Sequence, residues 1–146
     1  MLLRDVMTRQ IQEIPPEATL QDAAERMKSL DIGALPVCKN DKLIGILTDR
    51  DIAIRAVAAG RDPKKTRVSD AMTPEVCFCF DDDDVEEAAK LMERRQIRRL
   101  VVMDHNKHAV GIVSLGDLAT RTRDDQLTGE VLERVSEPSA PNRSDA

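Results

Sequence analysis

Gly45-Ile46-Leu47-Thr48-Asp49-Arg50-Asp51-Ile52 and Gly111-Ile112-Val113-Ser114-Leu115-Gly116-Asp117-Leu118 are two versions of one stretch. Each is an apolar run leading into a helical pattern, with a hydroxyl at the junction and a carboxylate three residues later. A strand running straight into a helix is expected at both places. The duplication extends outward from them.

Leu3-Arg4-Asp5-Val6-Met7-Thr8 is echoed by Val68-Ser69-Asp70-Ala71-Met72-Thr73, an offset of 65 (73 minus 8). The same offset sets Leu20, Ala23, Ala24 and Met27 on Val85, Ala88, Ala89 and Met92, and Ile32, Leu35 and Val37 on Ile97, Leu100 and Val102. One inserted residue in the second copy raises it to 66, so that Gly45, Thr48 and Asp51 fall on Gly111, Ser114 and Asp117. The chain is an internal duplication. The expected organisation is a domain at 3–60, a connector at 61–67, a second domain at 68–123 and a C-terminal extension at 124–146. In that extension Asp124 to Val135 suits a further amphipathic turn or two, and Ser136 to Ala146, rich in Ser, Pro and Asp, reads as disordered.

Periodicity supplies the elements, and the fold class it predicts is α+β. Leu20, Ala23, Ala24, Met27 and Leu30 recur at helical spacing behind a Thr19-x-x-Asp22 capping box, predicting a helix over 20–30. Ala34 to Cys38 and Leu43 to Leu47 flank a charged turn and form a hairpin. Ile52, Ala53, Val57 and Ala58 begin a second helix that Gly60 closes before Pro63. The second copy predicts a strand at 76–80, a helix at 85–95, a hairpin over 99–114 and a helix from Leu115. Asp81 to Asp84 is read chiefly as the acidic start of that helix, with Asp84 and Glu87 standing where Thr19 and Asp22 stand. Met7, Met27, Met72 and Met92 occupy duplicated apolar positions and are assigned to the core.

Composition narrows the function. The chain has 146 residues, 22 basic against 27 acidic, and a formal net charge of -5, which argues against a nucleic-acid or anionic-membrane binder. With 2 Phe and neither Trp nor Tyr, base-stacking recognition of single strands has little to work with. No apolar run approaches a membrane span of roughly 20 residues. The 3 cysteines and the polar opening Met1-Leu2-Leu3-Arg4-Asp5 lead to the expectation of a reduced, cytoplasmic protein.

The two junctions admit two readings. Thr48-x-x-Asp51 and Ser114-x-x-Asp117 are capping boxes, and a helix needs such caps with no ligand present. A junction of this kind also presents backbone N–H groups to an anion, and its carboxylate can accept bonds from the vicinal hydroxyls of a ribose. Arg50, beside Asp49 in the first turn, disfavours the helix dipole yet suits a phosphate. Arg98 and Arg99 precede the strand 100–103 where the first copy has Gly33 and Ala34; paired arginines clamp phosphates, or they charge an exposed edge. Catalytic signatures are absent: there is no phosphate-binding glycine loop, no nucleophile elbow and no His-Glu-x-x-His helix. Cys77 and Cys79 alternate on one strand face and, with His105 and His108, offer zinc-type donors at a spacing that fits no standard site.

The duplicated order of strand, helix, strand, strand, helix, with Asp-x-Met-Thr starts, Leu-Pro-Val and two Gly-x-x-[Thr/Ser]-x-x-Asp closings, resembles a pair of cystathionine β-synthase (CBS) domains, a Bateman module, over about residues 3 to 123. The resemblance implies two short three-stranded sheets, each packed with two helices, related by a pseudo-twofold axis. It implies adenosine-containing ligands in the clefts, with Thr48, Asp51, Ser114 and Asp117 on riboses, Asp49 and Arg50 beside them, and Arg98 and Arg99 on phosphates. It places Ile14-Pro15 and Cys77-Phe78 along the base. A regulatory sensor of adenine nucleotides follows, without catalysis or a catalytic cofactor, that forms a homodimer and signals to an unidentified effector protein. The alternative is a scaffold module whose boxes merely cap helices.

Overall fold

β1 (Ala34–Lys39) and β2 (Lys42–Thr48) pair antiparallel across Asn40 and Asp41, both at positive φ (52° and 63°). Two left-handed residues make the turn whose twist matches that of a hairpin, and Asn and Asp tolerate that conformation. The computed structural model that shows this describes residues 1–9, 11–74, 76–121 and 125–136. β2 runs without a break into α2 (Asp49–Ile52), which continues as a π-helical turn over Ala53–Val57 and ends at Gly60, φ 70°. Ahead of the hairpin lies α1 (Leu20–Leu30), started by Thr19 Oγ1, which accepts from the Asp22 amide at 3.1 Å. α1 stops at Asp31 in the left-handed conformation, although no glycine marks the place.

The second copy repeats the plan after the short helix α3 (Val68–Ala71) and the two-residue strand β3 (Thr73–Pro74). It contains β4 (Phe78–Phe80), α4 (Val85–Arg95), β5 (Arg99–Met103), β6 (Ala109–Ser114), α5 (Leu115–Arg121) and α6 (Asp125–Ser136). β4 is shorter than the expected strand at 76–80. Asp84 caps α4 by accepting from Glu86 N at 3.2 Å, not through the box with Glu87 that the sequence suggests. α6 is a full helix of 12 residues where a turn or two was expected, because Val131 and Val135 enter the core. Of the stretch expected to be disordered, only Ser136 is among the described residues.

Two compact units result, and their boundaries cut across the repeats. Ile11–Val76 form a continuous unit; Met1–Gln10 with Cys77–Ala146 form a discontinuous one. In the continuous unit the sheet order is β1-β2-β3, with Gly45 opposite Pro74 and Ile46 opposite Thr73, and Ile14 bridges Val37 on the far side of β1. In the discontinuous unit the order is β4-β5-β6, Cys79 lies parallel to Val102, and Thr8 bridges Ile112 on the far side of β6. Each hairpin is thus flanked on one edge by its own copy and on the other by the Met-Thr segment that opens the other copy. Leu3, Val6 and Met7 belong to the core of Met92, Leu100, Val102, Val113 and Leu118, whereas Val68 and Ala71 belong to that of Ile14, Leu20, Leu35, Val37 and Leu47. Among the described residues no helix is long and apolar enough to cross a membrane.

Candidate functional site

The two strand–helix junctions are built alike. Thr48 Oγ1 accepts from Asp51 N at 3.1 Å while Asp51 Oδ2 accepts from Thr48 N at 2.9 Å. Ser114 Oγ and Asp117 Oδ2 do the same at 3.0 and 2.9 Å. Both boxes are complete with no ligand, so the carboxylates are fixed in place by the chain itself. One oxygen of each remains. Asp51 Oδ1 lies 3.5 Å from Thr73 Oγ1, and Asp117 Oδ1 lies 3.9 Å from Arg121 Nε, both longer than a good charge-assisted bond. A half-buried carboxylate held by one oxygen and weakly engaged through the other is a ready acceptor for a hydroxyl.

The hairpins decide what surrounds each junction. Ala34 is opposite Thr48 and Arg99 is opposite Ser114; Gly33 O accepts from Asp49 N at 3.0 Å and Arg98 O from Leu115 N at 2.9 Å. The discontinuous unit therefore gathers Arg98, Arg99, Ser114 and Asp117, with Arg121 as a third cation 3.9 Å from Asp117. The continuous unit gathers Thr48, Asp49, Arg50 and Asp51, with one cation to two anions, and Asp49 Oδ1 is taken by the amide of Arg50 at 2.8 Å.

The two segments expected to line a base are not equivalent positions of the repeat. At the offset of 65 Ile14 falls on Cys79 (79 minus 14), and both are buried, Cys79 in β4 and Ile14 in a single bridge to Val37. Ile14 donates its N–H to Pro36 O at 3.0 Å, and its carbonyl accepts from Cys38 N at 3.1 Å. Pro15 is exposed, Cys77 packs half-buried against the core, and Phe78 stands 43% exposed, edge-on to Phe80 with ring centroids 5.7 Å apart. The zinc-type grouping is not assembled: His105 pairs with Asp82 and His108 with Asp104, and among the described residues no group of three or more His, Cys, Asp or Glu could hold a metal. Burial, aided by Glu13, pushes the Cys38 thiol up to about 12, and burial with Asp83 and Glu87 pushes Cys79 up to about 11.

Two duplicated pairs hold the junctions to their neighbours, the glycines of the motif and a pair of arginines that the sequence did not single out. Gly45 and Gly111 have no room for a side chain: a Cβ at Gly45 would lie 2.7 Å from Met72 Sδ and 2.9 Å from Thr73 O, and one at Gly111 2.6 Å from Met7 Sδ and 2.9 Å from Thr8 O. Arg55 Nη1 donates to Ala71 O and Met72 O at 3.1 and 2.9 Å, and Arg121 Nη1 to Val6 O and Met7 O, both at 3.0 Å. Their duplication at an offset of 66 (121 minus 55) was the available signal. Chelating the free carbonyls that end a short helix is what a guanidinium fork does well.

A family model described as CBS domain matches residues 3–57 and 68–124. The CBS domain-containing protein YhcV of Bacillus subtilis is 42% identical over 134 residues, which is 92% of this chain and 94% of that protein. The crystal structure of Hypoxic Response Protein I with two coordinated zinc ions is similar with a TM-score of 0.74 and 35% identity, over 83% of this chain and 98% of that one. The CBS domain pair of protein MJ0100, in complex with 5′-methylthioadenosine and S-adenosyl-L-methionine, is similar with a TM-score of 0.72 and 28% identity, over 82% and 93%.

Proposed function

The chain belongs to the CBS-domain family as a tandem pair, and from that membership we propose that it is a regulatory module that binds adenosine-containing ligands at its strand–helix junctions and signals the occupancy to a partner protein. The observation that carries this reading is the second oxygen of Asp51 and of Asp117, left at 3.5 and 3.9 Å from its nearest partner while the first is locked into a cap. The vicinal hydroxyls of a ribose fit such a carboxylate, with the Thr48 or Ser114 hydroxyl beside it. The adenosyl ligands of the MJ0100 pair support the ligand class.

The charges favour different ligands at the two junctions. Arg98 and Arg99 favour a phosphorylated nucleotide such as AMP, ADP or ATP beside Ser114 and Asp117, with Phe78 available to the base. Asp49 and Asp51 outweigh Arg50 at the other junction and favour an uncharged or cationic adenosyl compound, with Pro15 at its edge. Binding acts by population shift, since a ligand that takes the free oxygen of Asp51 competes with Thr73, which belongs to the Met-Thr segment. The reading includes a homodimer, which would sediment at twice the 16.3 kDa chain mass, and an effector protein as receiver. It includes no catalytic step and places the protein in the cytoplasm.

Calorimetric titration of AMP, ATP, 5′-methylthioadenosine and S-adenosylmethionine tests it. Asp51→Asn and Asp117→Asn are the informative variants, because an amide oxygen can keep the cap while the second acceptor is lost. Each should weaken binding at its own junction by about tenfold, or ~1.4 kcal/mol. With neither Trp nor Tyr in the chain, nucleotide carried through purification also stands out at 260 nm. If no adenosyl compound binds, the boxes are helix caps only and the module is a scaffold.

A further inference from the structure

The discontinuous unit carries an ion pair built on a histidine at a place where the continuous unit carries one built on a lysine. His105, in the β5–β6 turn, sets Nε2 2.8 Å from both carboxylate oxygens of Asp82, in the loop before α4. Its ring stacks on Phe80 at 4.5 Å between centroids, 12° from parallel. In the continuous unit Glu17 takes the place of Asp82 (82 minus 17 is 65), and Lys39, at the end of β1, pairs with it at 3.5 Å. The same two segments, hairpin turn and pre-helix loop, are fastened by lysine in one unit and by histidine in the other.

We propose that His105 is a proton-operated latch: as the imidazolium it fastens the β5–β6 turn and β4 to the loop at 81–84, and as the neutral ring it loosens them, while Lys39 and Glu17 keep the continuous unit fastened throughout. The surrounding carboxylates act in one direction. From the loop, Asp82 contacts the ring and the charges of Asp81 and Asp83 favour its protonated form as well; from the amino-terminal turn, Arg4 reaches the same loop with Nε 3.4 Å from Asp81 O. On the ring's own turn stand Asp104, Lys107 and His108, with Asp104 already accepting from the amides of Asn106 and His108 at 2.9 Å. Asp83 is likewise engaged, by Phe80 N at 2.8 Å, which leaves Asp82 as the partner. Hydrogen bonding and attraction from Asp82 raise the imidazole above its ordinary 6.5, and the same bond holds the Asp82 carboxyl below its ordinary 3.8. A raised histidine contributes below its folded-state pKa and ceases to contribute as pH rises through it; a depressed aspartate ceases only in strong acid. The latch is closed between those limits and opens on the alkaline side. It needs no ligand, though its strand also carries Phe78.

Ring NMR of the full chain from pH 5 to 9 reads the latch directly, because there are 2 histidines and His108→Gln assigns them. His105 should titrate at higher pH in the wild type than in Asp82→Asn. Amide exchange at Asp81, Asp83 and Asp104, corrected for its intrinsic pH dependence, should quicken about two- to fivefold as His105 loses its proton, the range of an exposed ion pair. In His105→Lys, which copies the continuous unit, that step should vanish. The proposal fails if Asp82→Asn leaves the His105 titration unmoved, if wild-type exchange shows no step, or if the step survives in His105→Lys.

Discussion

At single residues the packing makes sharp demands. A methyl at position 111 meets a flexible sulfur, which can swing aside, and a backbone carbonyl, Thr8 O, which cannot because it accepts from Ile112 N at 3.0 Å. Gly111→Ala should therefore cost about 1 to 3 kcal/mol in thermal or chemical denaturation, and Met7→Ala should not recover all of it. Full recovery would mean that the sulfur was the only obstacle. The cysteines give a second case. At pH 8 a thiol near 12 is ionised in roughly one molecule in ten thousand, so Cys38 should resist iodoacetamide, and Cys79, near 11 and buried, should too. Mass spectrometry of the alkylated native chain locates the label; modification of either at the rate of a free peptide thiol would return a redox role to consideration. Gly45 and Gly111 were visible in the sequence as motif members, but their reason was not, since nothing local in Gly-Ile-Leu-Thr says that another segment passes within contact distance.

Among the elements, those with strong local signals form where they were expected. α1 and α4 start at Thr19 and Asp84, the hairpin turn sits on Asn40-Asp41, and Gly60 ends the helix after β2. α1 and α4 end at Leu30 and Arg95, as expected, with Asp31 and Gln96 rather than glycine in the left-handed capping position. What the sequence misjudged is decided at longer range. α6 is a complete helix because Val131 and Val135 find a core to enter, not because of its propensity. Residues 119–121, which match the first part of the π turn at Ala53–Val57, are α-helical, yet Arg55 and Arg121 still reach equivalent pairs of carbonyls. The capping boxes of the candidate site were legible because they are local: Thr48 with Asp51, and Ser114 with Asp117, act three residues apart. The expected places of Ile14-Pro15 and Cys77-Phe78 rest on the family resemblance and not on a local pattern of that kind.

For the molecule as a whole, the repeats are evident in the sequence and the exchange between them is not. Leu3-x-x-Val6-Met7 and Val68-x-x-Ala71-Met72 are near-equal in shape and polarity, so either could fill either core, and a constant offset of 65 is compatible with both arrangements. The choice is made by the chain path, which carries α3 to the hairpin of residues 34–48 and the amino-terminal turn to that of residues 99–114. A repeat-by-repeat view predicts that damage at residue 3 weakens the first hairpin; the structure predicts the second. Leu3 is fully buried, so Leu3→Ala should remove about 2 to 5 kcal/mol of local stability. In native-state hydrogen exchange the loss should appear at Leu100, Val102 and Val113, with Leu35, Val37 and Leu47 less affected. Val68→Ala should do the converse on a smaller scale, since valine removes fewer buried carbons. A larger effect of Leu3→Ala at Leu35 and Val37 than at Leu100 and Val102 would mean that each copy folds on its own opening segment, and the Gly111 and Arg121 contacts with residues 6 to 8 would then need another explanation.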